Sequence, residues 1–286
     1  MSLVLSHIFI YPIKSLGGIS VDSAYADKQG LKYDRRYLLV DETGMFITQR
    51  DFPRLAFLKL SIIENGFKVL NTMDSSQTVI PFESDSKENL SVKIWDDVCN
   101  AVMVSKDLNN WFSSAINKKC SLVYMPDDEK RLVEKKYINE EHIVSFADAY
   151  PFLIIGQSSL DDLNKRLETS VPMNRFRPNF VFTGGNAYEE DNWKVFKIGD
   201  VNLKAVKPCA RCMITTTDQQ TAERNKEPLK TLSEYRKIEG KVMFGMNVVC
   251  NKQGFVKIGD KIEPVSYTHL RAHETDSYLV CRLLLE

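Results

Sequence analysis

The chain has little of what marks several common protein classes. No run approaches the roughly 18 consecutive apolar residues that a membrane-crossing helix needs, which predicts no membrane span. The opening "MSLVLSHIFIYPIKS" lacks the basic region and small-residue cleavage site of an export signal. Neither charge sign is in excess, with 38 Lys+Arg against 38 Asp+Glu. A general basic field for nucleic acid or anionic membrane is therefore missing. Histidine is scarce, at four in 286 residues, and the six cysteines form no dense framework. With no export signal, these read as reduced thiols in a cytoplasmic setting. What is present is enough apolar residue, 43%, to bury a proper core, over a length that suits one large or two ordinary domains.

The last stretch, "VSYTHLRAHETDSYLVCRLLLE" from Val265, changes character abruptly and holds two of the histidines, His269 and His273. Back-translated, its two ends fit a transposon-type sequencing adapter and a flow-cell adapter, separated by a gap the size of a sample index. Residues 265–286 are accordingly set aside as a scar rather than a domain.

Elsewhere short alternating runs broken by turn residues predict an all-β pattern. "LVLSHIFIY", "RRYLLVDETGMFITQR", "LAFLKLSII", "GFKVLN", "LSVKIWDD", "NAVMV", "CSLVYM" and "NFVFTG" read as strands. "DETG" reads as a hairpin turn. "VFKIGDVNLKAV" and "GFVKIGDKIE" each read as a hairpin about a Gly-Asp turn. "KDLNNWFSSAIN", "SSLDDLNKRLE" and "PLKTLSEYRK" read as helices, the second with Ser158 and Asp161 at capping-box spacing. The polar segment at 127–142 is the best linker. The expected fold class is mainly β with a few helices, in two β-barrel-like domains, residues 1–126 and 127–264.

The stretch "KPCARCMITTTD", residues 207–218, carries the chemistry. A structural zinc needs four ligands, but there is one C-x-x-C, and outside the scar only His7 and His142 remain, without ligand spacing. A thioredoxin-like pair would sit between strand and helix, whereas the β-branched "MITTTD" predicts a strand after Cys212. Two buried, inert thiols are the commonest alternative. Arg211 beside Cys212 would favour a thiolate, which is a nucleophile and a soft-metal ligand. Polar and basic clusters recur in "YPIKS" (Lys14, Ser15), "YDRRY" (Arg35, Arg36) and "NRFRPN" (Arg175, Arg177, Asn179). Together they suit an anion such as phosphate, so a soft thiolate plus a phosphate cradle points to a metal held by a phosphorylated organic cofactor.

Read in order, "YPIKSLGG", "GLKYDRRYLLVDETGMFITQRDFPRLA", "WDD", "PFLIIGQSSLDDLNKRL", "NRFRPNFVF", "KPCARCMITTTD", "EPLKTLSEYRK" and "FGMNVV" resemble the MOSC-domain family. The likeness is to the branch that holds the mitochondrial amidoxime-reducing component and bacterial reductases of N-hydroxylated bases. It covers nearly all of residues 1–263. It implies a MOSC N-terminal β-barrel domain over 1–126 and the MOSC domain over 127–264. Some bacterial relatives add a ferredoxin-like domain, leaving open what followed Glu263.

The resemblance implies a molybdenum cofactor. Cys212 maps to the family's molybdenum ligand, while Cys209 has no assigned role. Contacts to the cofactor's phosphate and pterin map to Lys14, Ser15, Arg35, Arg177, Asn179, Ala210, Arg211 and Asn247. Asp148 maps to a further contact in a segment where the family's Asp-Thr-Ser run is here Asp148, Ala149 and Tyr150, so that Ala149 has only backbone to offer. The implied activity is reduction of small N-hydroxylated substrates, with electrons from an external ferredoxin- or cytochrome-type donor, since the chain has no flavin or dinucleotide fingerprint. Two alternatives stand beside it: a cofactor carrier or sulfur-transfer protein, and a β-barrel binding module with inert thiols. The family's sulfurases carry a pyridoxal-phosphate domain upstream, for which this chain has no room.

Overall fold

A computed structural model of the chain describes residues 2–82 and 86–265; the adapter-like stretch from residue 266 onward lies outside them. The fold is mostly strand, as the alternation predicts. The central sheet has the strand order Ile262–Pro264, Val195–Ile198, Val201–Ala210, Lys241–Lys252, Phe152–Gly156, Phe180–Thr183, Val4–Ile10, Ile19–Val21. Its ends curl toward one another. Val4 bridges Lys261, and Leu5 N donates to the Asp260 carbonyl at 2.9 Å, giving half-barrel curvature. Three smaller sheets pack around it, one of them the meander Leu58–Ile63, Gly66–Asn71, Gln77–Pro81.

Strands from the first thirty residues pair with strands from beyond residue 150. Val4–Ile10 runs antiparallel to Phe180–Thr183, with His7 opposite Val181. Ser23–Asp27 likewise pairs with Gly254–Lys257. The largest apolar cluster joins both halves, with Leu5, Tyr37, Phe67 and Phe112 buried alongside Phe152, Phe180 and Val248. One continuous core therefore fixes the elements that meet at the site.

Helix Lys106–Ile116 forms where expected. Ser105 Oγ accepts from Leu108 N at 3.1 Å, and Leu108, Phe112 and Ile116 are buried at helical spacing. Helix Gln157–Arg166 also forms, but not through the expected cap. Its N-cap is Gly156, Ser158 Oγ donates to the Gly185 carbonyl, and Asp161 accepts from Gln157. This helix crosses over between the parallel strands Phe152–Gly156 and Phe180–Thr183.

Three further expectations are corrected. "GFVKIGDKIE" is not a hairpin: Gly254–Lys257 pairs with Ser23–Asp27, and Ile262–Pro264 with Val195–Ile198. Its Gly-Asp turn redirects the chain between two sheets, with Gly259 N bonded to the Leu5 carbonyl. Only the first arm of "RRYLLVDETGMFITQR" is a full strand, Tyr37–Val40; the second is reduced to isolated bridges, Val40–Phe46 and Met45–Lys93. The polar segment at 127–142 is packed rather than loose. Val133 and Ile138 are buried, and Val133 N donates to the His142 carbonyl at 2.8 Å.

Candidate active site

A cleft of about 240 Å³ opens where the two halves meet. All ten residues singled out from the sequence line it: Lys14, Ser15, Arg35, Asp148, Arg177, Asn179, Ala210, Arg211, Cys212 and Asn247. Local structure explains how they converge. Strand Val201–Ala210 is irregular against Lys241–Lys252, with register shifts between Ala205 and Lys207 and between Pro208 and Ala210. Bulges re-aim side chains, so Lys207, Cys209 and Ala210 all reach the same cleft. Asn247 lies opposite both Lys207 and Leu153.

The run after Cys212 is not the predicted strand but a 3₁₀ turn, Met213–Thr216. Its threonines cause this: Thr215 Oγ1 donates to the Cys212 carbonyl at 3.0 Å, and Thr216 Oγ1 to that of Met213 at 2.8 Å. Side-chain bonds back to the main chain compete with sheet pairing. Cys212 is the cap of that turn, half-buried.

Three residues of the site carry backbone strain. Ser15, Arg35 and Arg177 all adopt left-handed φ, at 70°, 49° and 55°. Each such non-glycine residue costs on the order of 1–3 kcal/mol, and such strain clusters at functional sites. Arg35 is held there by its own main chain, its N–H donating to the Tyr11 carbonyl and its carbonyl accepting from Phe146 N.

The charges are lopsided. The chain is neutral overall, yet Lys14, Arg35, Arg50, Arg177, Lys207 and Arg211 line the cleft against one carboxylate, Asp148. Lys14 Nζ lies 2.6 Å from Asp148 Oδ1, and Arg50 Nη2 lies 3.3 Å from Oδ2. Burial pushes the Asp148 carboxyl up, but the charges of Lys14 and Arg50 outweigh it and hold it below the usual carboxylate range. Burial pushes the Lys14 ammonium down to about 8, against the pull of Asp148. Burial also lowers Arg177 to about 10, leaving it charged at neutral pH.

Arg35 and Asn179 brace one another. Arg35 Nη1 pairs with buried Asp34 at 2.5 Å and donates to Asn179 Oδ1 at 3.1 Å. Arg35 Nη2 donates to the Arg177 carbonyl, and Asn179 Nδ2 to the Phe9 carbonyl. Two members of the basic clusters turn elsewhere, because each has its own acid: Arg36 pairs with Asp127 at 2.6 Å and Arg175 with Asp218 at 2.8 Å.

Sequence reasoning missed Arg50, Lys207 and Arg131. Arg131 is buried and clamps the loop that carries Asp148. It donates to the carbonyls of Ser145, Ala147 and Asp148 and pairs with Asp97 at 2.7 Å. Its position inside a charged segment gave no pattern to read. Arg50 and Lys207 stand inside the quoted motifs, so their basic character was the available signal.

Among the described residues no group of three or more His, Cys, Asp or Glu gathers to hold a metal ion. A metal here would have to bring most of its own ligands, and a single thiol suits a soft metal already held by a sulfur-bearing group. The lining fits an anionic organic ligand, since cations dominate it and Arg211 Nε and the Tyr150 hydroxyl are buried without partners. No helix among the described residues is long and apolar enough to cross a membrane.

The sequence profile of the MOSC domain matches residues 141–263, and that of the MOSC N-terminal beta barrel domain matches residues 2–119. The chain belongs to the MOSC-domain family. It is similar to Mitochondrial amidoxime-reducing component 1 of Mus musculus, at 33% identity over 278 residues, 90% of this chain and 81% of that protein. It is also similar to Molybdenum cofactor sulfurase of Arabidopsis thaliana, at 30% identity over 91% of this chain but only 35% of that longer protein. The crystal structure of the YuaD protein from Bacillus subtilis covers 92% of this MOSC protein and 95% of its own chain, at 10% identity and a TM-score of 0.44.

Proposed function

We propose that this MOSC protein is a molybdenum-cofactor-dependent oxidoreductase that reduces small N-hydroxylated compounds, amidoximes and hydroxylamines among them, to the parent amidine or amine. The reading is carried by one observation: a half-buried thiol, Cys212, with Cys209 beside it, shares a cleft with six cations and one carboxylate. It is supported by similarity to amidoxime-reducing components along most of both chains.

Cys212 is the residue that would ligate the metal through its sulfur. Lys14, Arg177 and Arg211 are the charged donors for the cofactor's phosphate and pterin, with Ser15 and Asn247 adding directional polar contacts. The main-chain groups of Ala149 and Ala210 complete the wall. When bound, the cofactor supplies two-electron oxygen-transfer chemistry that no side chain here provides. Overall, the substrate N–O bond breaks, and two electrons and two protons yield the N–H product and one water. The electrons come from an external ferredoxin- or cytochrome-type donor. Asp148, ionised and half-exposed, is the acceptor that keeps Lys14 oriented.

The test is molybdenum and pterin per chain in protein made in a cofactor-producing host, together with conversion of benzamidoxime to benzamidine under a chemical reductant. Stoichiometric metal with turnover supports the reading. Protein that loads the cofactor but reduces no N-hydroxylated compound, while passing sulfur to an acceptor enzyme, would favour the sulfur-transfer alternative suggested by the sulfurase similarity.

A further inference from the structure

Arg211 is fixed by two acceptors from different elements. Its Nη2 donates to the Phe176 carbonyl at 2.6 Å. Its Nη1 donates to Cys209 Sγ at 3.0 Å. The third donor of the fork, Nε, is buried with no partner. A buried guanidinium N–H left unpaired is costly, and this one belongs to a residue lining the cleft beside Cys212.

Cys209 is suited to orient that fork. Its strand neighbour Pro208 has no N–H to compete, and the register shift between Pro208 and Ala210 turns this segment toward the cleft. The sulfur packs against the apolar cluster of Leu153, Phe176 and Phe244. A planar guanidinium held at both terminal nitrogens has no rotational freedom left, so the direction of Nε–H is set by the two anchors.

We infer that Cys209 is a positioning residue. Its sulfur holds Arg211 so that the free Nε–H meets an acceptor atom of the anionic cofactor bound in the cleft. The two cysteines of the C-x-x-C thus have separate tasks: Cys212 faces the metal, and Cys209 aims the arginine between them. This rests on the cofactor reading above.

The experiment measures pterin retained per chain after dilution and gel filtration of holoprotein, in wild type, Cys209→Ala, Cys209→Ser, Arg211→Ala and the double variant Cys209→Ala/Arg211→Ala. Loss of one charge-assisted contact predicts cofactor release roughly tenfold faster in Cys209→Ala and in Arg211→Ala. Cys209→Ser, which keeps an acceptor, stays close to wild type. The double variant releases no faster than Arg211→Ala, because coupled residues are not additive. Should Cys209→Ala fold poorly, Cys209→Val keeps the apolar packing and removes the acceptor, and the same outcome is expected. Losses that add in the double variant, or a serine variant as leaky as alanine, overturn the positioning role while leaving the cofactor reading intact. Wild type that carries no pterin overturns the cofactor reading itself, and this inference with it.

Discussion

Lys14 Nζ sits 2.6 Å from Asp148 Oδ1, with the lysine side chain 6% exposed and the aspartate 53% exposed. A buried ammonium thus has its counterion at the mouth of the cleft. Burial brings Lys14 down to about 8, so its charge is marginal just above neutrality. In the unfolded chain the same lysine keeps its proton to about 10.4. Between these values the unfolded state binds more protons, so this group makes the cofactor-free protein more stable as pH rises through that window. A phosphate dianion reverses the preference by favouring the charged lysine. Pyrophosphate binding at about pH 9 should therefore take up protons. Calorimetry in buffers of different ionisation enthalpy reads this directly, and a heat independent of buffer would rule Lys14 out as the phosphate contact.

Arg177 donates to the Leu16 carbonyl at 2.6 Å, and its guanidinium carbon lies 4.3 Å from the Tyr11 ring centroid. Arg177→Ala removes a half-buried cation at a strained position. Pterin content should fall by about 1.5–3 kcal/mol in binding, or roughly tenfold or more. Arg175→Ala, outside the cleft and paired with Asp218, should leave the pterin content near wild type. Equal losses in the two variants would place the cofactor elsewhere.

Gly245 precedes Met246 and Asn247 in "FGMN" with φ of 78°, and a Cβ there would lie 2.6 Å from Ile155 Cγ1 and 3.0 Å from the Ile154 carbonyl oxygen. Gly245→Ala should destabilise the fold by about 2 kcal/mol or more through strain and overpacking. Urea unfolding measures it; a midpoint matching wild type would contradict the geometry.

Deleting residues 266–286 should leave thermal stability within a few degrees of the full chain or raise it. The last described contact, Val265 N to the Val195 carbonyl at 2.8 Å, survives that deletion. A collapse of soluble yield would count against reading the stretch as an adapter scar.

How much was legible follows from the range of the interactions. Strands with clean alternation, such as Asn89–Ile94, and helices with a strong apolar stripe, such as Lys106–Ile116, were readable because local pattern decides them. The ten site residues were legible through motif resemblance, and the structure brings them to one cleft. What failed was non-local or set by side chains. The partners of Gly254–Lys257 and Ile262–Pro264 lie more than sixty residues away in sequence, so local hairpin chemistry misled. The turn after Cys212 depends on threonine hydroxyls bonding back to the chain, which β-branched composition alone reads as strand. Arg131 works through carbonyls of a loop, and no sequence spacing announces such a contact.

The most direct test of the central claim is molybdenum per chain and benzamidoxime reduction in wild type and Cys212→Ser. A hard, poorly ionised hydroxyl replaces a soft thiolate. The account predicts that reduction is abolished in Cys212→Ser, with pterin still present through Lys14, Arg177 and Arg211, while Cys209→Ser keeps much of its activity. Full activity in Cys212→Ser, or equal loss from the two serine variants, would contradict it.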